Sequence, residues 1–591
     1  SIRLTCEWSQ VRILLCPFKR QHFVMDKEKN EEKLEIQRHS LAHILAMAVL
    51  KLYPDTKLGI GPAINNGFYY EFLTEHKFTM PDLDVIEKEM HEIINRKLEF
   101  KQIMVSREEA MDILHQSGQI FKTELLKQVP DEQISFFKTE NFLDMCRGPH
   151  VKTTKDIGVF KLIKISNTNW LSQEHRPKLQ RIIGVSFNDL ETLENYLEEI
   201  KSLKFKNHEI LGRKLDLLLF NKDFSDKNCI WLPNGYILKE QVKKVFQKEF
   251  QDNDYQIIET PDIAKFIFYK EYFEDEEAKK DYLSPLKIGK EDYLIRANTL
   301  AAHNLVFRSK KVSYRQLPVK YGEFSDCYKN NSEQIQFQTL QGHIYTKNES
   351  IVDELKAILT LTISNLTKFG FSNIHLEAIT PKEDDSNHYN SIKDAVNYAQ
   401  TALNELKLLA KISTIKHSKY GVEISFKIVD IFNRTHTISR VILDLYTGVR
   451  EKINYIDSDN KPQTSAIIHH EFICSIEEFV YLLIEKWEGS FPLWMAPVQV
   501  KIIPISDKYM NSAQKIFEIL AKEDFRVELD KSNNTMQAKI RNAETEKIPY
   551  FLIIGDKEIK TNSVSIRQRD GKELGLVRIE EFISKIKAEN T

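Results

Sequence analysis

Two histidines and a short cysteine-containing turn carry the first chemistry legible in the chain. His39 and His43 stand four residues apart in LEIQRHSLAHILAMAVLKLY, an apolar stretch that reads as a buried helix from Leu34 to Tyr53, closed by Pro54. That spacing puts both imidazoles on one helical face. Farther along, Asp144-Met145-Cys146-Arg147-Gly148-Pro149-His150 sets a thiol and a third imidazole four apart, beside a Gly-Pro turn. Three histidines and a cysteine are the ligand types of a zinc site and equally of a metal-free pocket that activates water. Either pair alone reads better as core imidazoles satisfied by backbone groups. Both pairs, with the glycine-rich strand turn KLGIGPAINNGFYYEF between them, make the chemical reading far more specific.

These elements sit in a chain of 591 residues, which at about 150 residues per domain makes roughly four domains. A hydrophobic content of 42% and a charged content of 29% exclude disordered and collagenous classes. With 84 basic and 86 acidic residues the formal charge is −2, so a nucleic acid must be held by local patches rather than a global basic field. The sparse cysteines build no disulfide framework and fit a reducing, cytoplasmic compartment. No run of about 20 apolar residues predicts a membrane span.

Residues 1–33 read as an unstructured or non-native leader, with Met25 a candidate start. Helical periods recur at 81–96 and 106–128, residues 159–186 read as short strands, and 187–215 as a long polar-faced linking helix. Consecutive strands such as DYLIRA, YGEFSDCY, VEISFKIVDI and RVILDLYTG predict an antiparallel sheet with helices packed on it across 216–496. Beyond it, 497–591 alternates strands and helices as a compact α/β domain. The expected fold class is therefore α+β and multidomain.

RHSLAHILAMAVLKLYPDTKLGIGPAINNGFYYEF and DMCRGPH resemble the editing domain of threonyl-tRNA synthetases, a second additional domain with kinship to that of alanyl-tRNA synthetases. The resemblance assigns this domain to 34–186. It implies that His39, His43, Cys146 and His150 surround the ester of a mischarged tRNA, with Lys122, Tyr70 and Asp144 at matching positions of the pocket. It leaves the metal open: the threonyl branch is usually described as metal-free, so editing requires no cofactor, whereas alanyl-type relatives bind zinc with the same four residues. The proposed task has a physical motive. Serine is smaller than threonine by one methyl, and a binding pocket discriminates against a missing methylene by only about 1–3 kcal/mol, so a second, hydrolytic sieve is needed.

Beyond residue 215 the resemblance continues through the class II catalytic domain and the anticodon-binding domain of the same family. The scaffold matches at NGYILKEQVKKVFQKEF, at Pro261, at Ser313-Tyr314-Arg315-Gln316-Leu317-Pro318 and at FPLWMAPVQV. The chemistry departs. Where the family holds the α-phosphate of ATP with an arginine, this chain has Lys329, followed by Asn331 in place of an acid. Glu478 stands at the arginine that holds the γ-phosphate, and Cys474 at the glycine beside adenine. Lysine keeps a charge and loses the bidentate fork; a carboxylate repels phosphate. The family's zinc ligands, one cysteine and two histidines, correspond to Leu300, His343 and His469, and the substrate floor carries Glu423 and Arg440. In the last domain Glu558, Arg567 and, with a less close match, Asn533 fall where the family contacts anticodon bases.

These readings predict a paralogue that has lost amino-acid activation and serves as a trans-editing deacylase of Ser-tRNA(Thr). Its expected partner is tRNA(Thr), with no membrane and a homodimer through the class II core. Two alternatives stand beside it. One is an active threonine–tRNA ligase using ATP and zinc; the other is a non-catalytic tRNA- or mRNA-binding regulator.

Overall fold

The computed structural model describes residues 17–172, 176–225, 228–269, 282–330, 335–381, 389–415 and 421–590. The chain divides after Ser202 into two compact units, a break that falls inside the expected linking segment.

The first unit is built on the helix Pro17–Leu52. It begins well before Leu34, so the leader expected to be unstructured through residue 33 is helical from Pro17 on; residues 1–16 lie outside the described residues. A proline is tolerated at the first helical position, and DKEKNEEKLE supplies strong helix formers behind it. The buried part of this helix packs Leu41, Ile44, Leu45 and Ala48 onto one face of an antiparallel sheet. The sheet runs in the order Lys57–Leu58, Gly67–Leu73, Lys178–Phe187, Val159–Asn169. Phe68, Tyr70 and Phe72 alternate along their strand and bury their rings in the same core, as the period of two requires. A second, three-stranded antiparallel sheet joins Lys101–Ser106, Gln133–Thr139 and Phe142–Met145. The helical period read over 106–128 resolves into two helices, Arg107–Gln116 and Ile120–Gln128. The break between them is Gly118, at φ +64°, a conformation glycine adopts without a Cβ penalty. The linking segment is likewise two helices, Leu190–Phe205 and His208–Lys214, the second capped by the Asn207 side chain accepting from Glu209 N–H.

In the second unit an eight-stranded sheet carries helices on one face. Its central order is Val319–Tyr328, Gln336–Thr346, Ala466–Ile473, Thr435–Asp444, Gly421–Val429, all antiparallel. Parallel pairs occur at its margins, Gln256–Ile257 with Val319–Tyr328 and Ile374–Pro381 with Ala410–Ile415. Leu340, Ile344, Ile468, Phe472, Val441 and Leu443 share one core with Leu238, Phe246, Leu355 and Phe479 from the helices. Alternation therefore delivers Gln341, His343, His469 and Glu471 to the opposite face. The C-terminal part forms a five-stranded sheet, ordered Val527–Leu529, Val500–Pro504, Tyr550–Ile554, Ser563–Gln568, Glu573–Arg578. Its first three strands are parallel, which matches the expected α/β alternation.

Candidate functional site

In the first unit, the helix brings His39 and His43 to face the end of the strand Phe142–Met145. Cys146 continues that strand's pairing by donating its N–H to Ser135 carbonyl at 3.1 Å. Gly148 then turns the chain at φ +69°, with a Cβ at that position only 2.7 Å from the Phe137 ring, so no larger residue fits without displacing it. The turn returns His150 to the helix. Cys146 Sγ lies 3.1 Å from His39 Nε2, 3.3 Å from His150 Nε2 and 3.2 Å from the Gly148 N–H. The ring of His150 is 4.4 Å from that of His39 and 4.3 Å from that of His43, centre to centre. One ligand atom from each of the four residues lies within 4.8 Å of every other.

Burial makes the cluster neutral. Desolvation lowers the pKa of His39, drives that of His43 well below the ordinary value, and with the neighbouring His43 and His39 pushes His150 down to about 2. The same desolvation pushes the Cys146 thiol up to about 11. At neutral pH the site thus presents three uncharged imidazoles and a protonated thiol.

The remaining charge is concentrated beside them. Asp144, buried, accepts from the Tyr70 hydroxyl at 2.6 Å and from Lys122 Nζ at 2.8 and 3.0 Å. His43 Nε2 stands 3.7 Å from the same carboxylate; with the imidazole held neutral this is a dipolar contact, not an ion pair. Tyr70 reaches Asp144 because Gly61 leaves its ring room: a Cβ there would meet the ring at 2.1 Å. All seven residues expected in this pocket are therefore together, drawn from the helix Pro17–Leu52, the strand Gly67–Leu73, the helix Ile120–Gln128, the strand Phe142–Met145 and the turn that follows it. Neutral imidazoles near a buried lysine suit orientation and deprotonation of water, with cationic support for a developing oxyanion. The donor set also fits zinc: the ligand types are right, the four atoms converge, and His43 Nδ1 is buried without a hydrogen-bond partner. What sequence reading missed is the shell around His150. Phe100 stacks on its ring at 5.0 Å and Phe137 meets it edge-on at 4.4 Å. Ser40 touches its Nδ1, and the only signal was a polar residue on the buried side of an apolar helix.

The second constellation has the opposite character. His343 and His469 are register partners on adjacent strands, with rings 5.2 Å apart, and Leu300 closes the same recess. His343 Nδ1 is 2.9 Å from His303 Nδ1, whose other nitrogen is 3.0 Å from Glu323; His469 Nε2 is 3.1 Å from Asp444 Oδ2. Leucine offers no ligand atom, so a zinc held by a thiolate and two histidines does not fit here. Arg440 stands 3.5 Å from both Glu423 and Glu471 and occupies the floor. Glu478 sits in the first turn of the helix Ile476–Trp487, where the helix dipole favours a carboxylate, and is 2.7 Å from His436 Nδ1. The other nitrogen of His436 is 2.9 Å from Asp430; the Glu478 contact, then Asp430, raises the His436 pKa. Lys329 lies over the Phe337 ring at 5.7 Å. Asn331 lies outside the described residues.

In the C-terminal part, Glu558 is buried. Its carboxylate accepts from Gly555 N–H at 3.0 Å and Ser565 hydroxyl at 2.6 Å, and so caps the helix Asp556–Thr561. Arg567 is half-buried and paired with Glu573, while Asn533 is exposed before the helix Met536–Thr545.

Three family models match the chain: the threonyl and alanyl tRNA synthetase second additional domain over 134–183, the tRNA synthetase class II core domain (G, H, P, S and T) over 285–487, and the anticodon binding domain over 499–589. Among curated proteins, a threonine–tRNA ligase of Sulfurihydrogenibium sp. is 34% identical over 95% of this chain and 89% of its own length. One from Dehalococcoides mccartyi is 33% identical over 96% and 99%. Of solved structures, the RNA binding domain of threonyl-tRNA synthetase from Cryptosporidium parvum Iowa II shares the fold over 65% of this chain and 98% of that one, with a TM-score of 0.61 at 24% identity.

Proposed function

From the premise that this chain belongs to the threonyl-tRNA synthetase family, we propose that it is a trans-editing deacylase, which hydrolyses Ser-tRNA(Thr) and no longer activates threonine. In this reading 34–186 is the hydrolytic domain, 187–215 the linker, 216–496 a degenerate catalytic domain and 497–591 the anticodon-binding domain. The observation that carries it is the pairing of Glu478 with His436 at 2.7 Å: the position that should clamp the γ-phosphate presents a carboxylate, already part of a protein-internal network. The seven-residue pocket around Cys146 supports the hydrolytic half.

His39 is the better general base, because His150, with its pKa near 2, is a poor proton acceptor and serves to orient water. The thiol of Cys146 stays protonated, so water attacks the ester directly. Lys122, anchored on Asp144, keeps a further N–H to support a developing oxyanion, while the Tyr70 hydroxyl donates its one hydrogen to Asp144 and holds that carboxylate in place. A zinc ion would find its ligands among His39, His43, Cys146 and His150, and would lower the pKa of a bound water only if one of the four left its coordination position open. Arg567 and Asn533 are the side chains available for anticodon bases. The proposed setting is the cytoplasm, with tRNA(Thr) as partner and a dimer through the class II core.

One observation favours the ligase alternative: the curated relatives, matched over nearly the whole chain, are themselves threonine–tRNA ligases. Two assays on the purified chain separate the readings. Single-turnover deacylation should proceed on Ser-tRNA(Thr) and spare Thr-tRNA(Thr), and ATP–pyrophosphate exchange with threonine should stay at background. Exchange above background ends the claim of lost activation, and equal rates on the two esters end the claim of editing.

A further inference from the structure

The hydrogen bonds of one small side chain decide which nitrogen of His150 is available for chemistry. Ser40 is fully buried on the helix, between His39 and Leu41. Its Oγ lies 2.9 Å from the Ile36 carbonyl, 3.0 Å from the Val151 N–H and 3.1 Å from His150 Nδ1. The carbonyl can only accept, and the amide can only donate. A serine hydroxyl has one hydrogen and two lone pairs, so directing the hydrogen to Ile36 leaves Oγ accepting from both Val151 and His150. His150 then carries its proton on Nδ1. Its Nε2, 3.3 Å from Cys146 Sγ, is the lone-pair nitrogen. The ring cannot easily turn over, because Phe100 covers one face in parallel and Phe137 abuts it.

We propose that Ser40 is a positioning residue of the hydrolytic site, fixing His150 as the Nδ1–H tautomer so that the Nε2 lone pair faces Cys146 and the reacting space. This rests on reading the cluster as hydrolytic, although the tautomer itself does not. Ser40 acts on the ester only through His150: a partner on the far nitrogen sets which nitrogen accepts a proton or a metal.

The test uses the full chain, deuterated and labelled with 15N-histidine, with the His150 signals identified by their loss in His150→Asn. Long-range 1H–15N correlation spectra should show Nδ1–H at His150 in the wild type and a shift toward Nε2–H in Ser40→Ala. Single-turnover deacylation of Ser-tRNA(Thr) should fall about 10–100-fold in Ser40→Ala, as for loss of a group orienting a histidine, with unchanged tRNA affinity. Ser40→Thr, which keeps the hydroxyl, should restore both tautomer and rate. Nε2–H in the wild type, an unchanged tautomer in Ser40→Ala, or a rate within twofold of wild type would overturn the proposal. A lower melting temperature with the tautomer retained also overturns it, since Ser40 would then only support folding. If the wild type does not deacylate at all, the hydrolytic reading fails, and the spectra still decide the assignment of Ser40.

Discussion

The Cys146 pocket and the recess of the eight-stranded sheet are both lined by histidines, and they differ in where the polar atoms point. Around Cys146 the imidazoles converge on one another and on the thiol, while the charged groups Lys122 and Asp144 neutralise each other at the side. In the recess of the eight-stranded sheet each candidate group has turned to a protein partner: His343 to His303, His469 to Asp444, Glu478 to His436, Arg440 to Glu471. The difference teaches that residue type alone does not make a site. Histidines whose nitrogens share one space can act on a guest, whereas histidines turned toward another imidazole or a buried carboxylate, as His343 and His469 are, have one nitrogen committed to the protein.

The sharpest way to break this comparison is to remove the proposed base. His39→Ala should lower single-turnover deacylation by about 10²–10⁴-fold, the usual contribution of general base catalysis, at constant tRNA affinity; a rate close to wild type would reduce His39 to a packed core residue. Next in size is Lys122→Met, which leaves the buried Asp144 carboxylate without its cation and should cost about 3–5 kcal/mol of unfolding free energy in chemical denaturation. A loss below 1 kcal/mol, on the order of a surface pair, would mean that the pair is not held as described.

The Cys146 pocket and the His436–Glu478 network should also answer acid in opposite directions, with the buried His343 and His303 of the sheet recess, both lowered by desolvation, following the first. His39, His43 and His150 have folded pKa values below their ordinary one. As the pH falls below about 6.5, the unfolded chain takes up protons that the folded site refuses, and stability is lost. The folded pKa of His436 is raised; its stabilisation is complete below the unfolded value and is lost as pH rises through the folded one. Hydrogen exchange corrected for intrinsic rates, compared at about pH 7.5 and about pH 5.5, should show 34–50 loosening in acid while 430–436 tightens. A common direction would break the contrast. The smallest expected effect is none: Glu478→Arg combined with Leu300→Cys should leave ATP–pyrophosphate exchange at background, because Arg440 and Glu423 still fill the floor. Recovered exchange would show that two residues alone separate this chain from an active ligase.

Much of the Cys146 pocket was legible in advance because its signals are local: a histidine pair at helical spacing and a Cys-x-x-x-His turn built around glycine and proline. Lys122, Tyr70 and Asp144 were placed by family resemblance and by nothing in their own surroundings. Asp144 acquires its role only when strand pairing brings it against a helix 22 residues earlier in the chain. Ser40 escaped because its three partners include residues 110 and 111 positions away. The long linking helix was read as continuous, since its pattern spans Lys206 and Asn207 without a proline or glycine, yet Asn207 caps a new helix there. In the sheet recess the substitutions themselves were visible, but not that the carboxylates of Asp430, Glu471 and Asp444 would meet them.

The division of the chain after Ser202 has a consequence for inheritance. Among the described residues, the side chains named for the Cys146 pocket lie between residues 39 and 150, and those named for the sheet recess between 300 and 478. A single recombination joint near codon 202 would transmit one whole constellation and none of the other. Selection can therefore discard or refine either chemistry in the gene without first disentangling it from its neighbour.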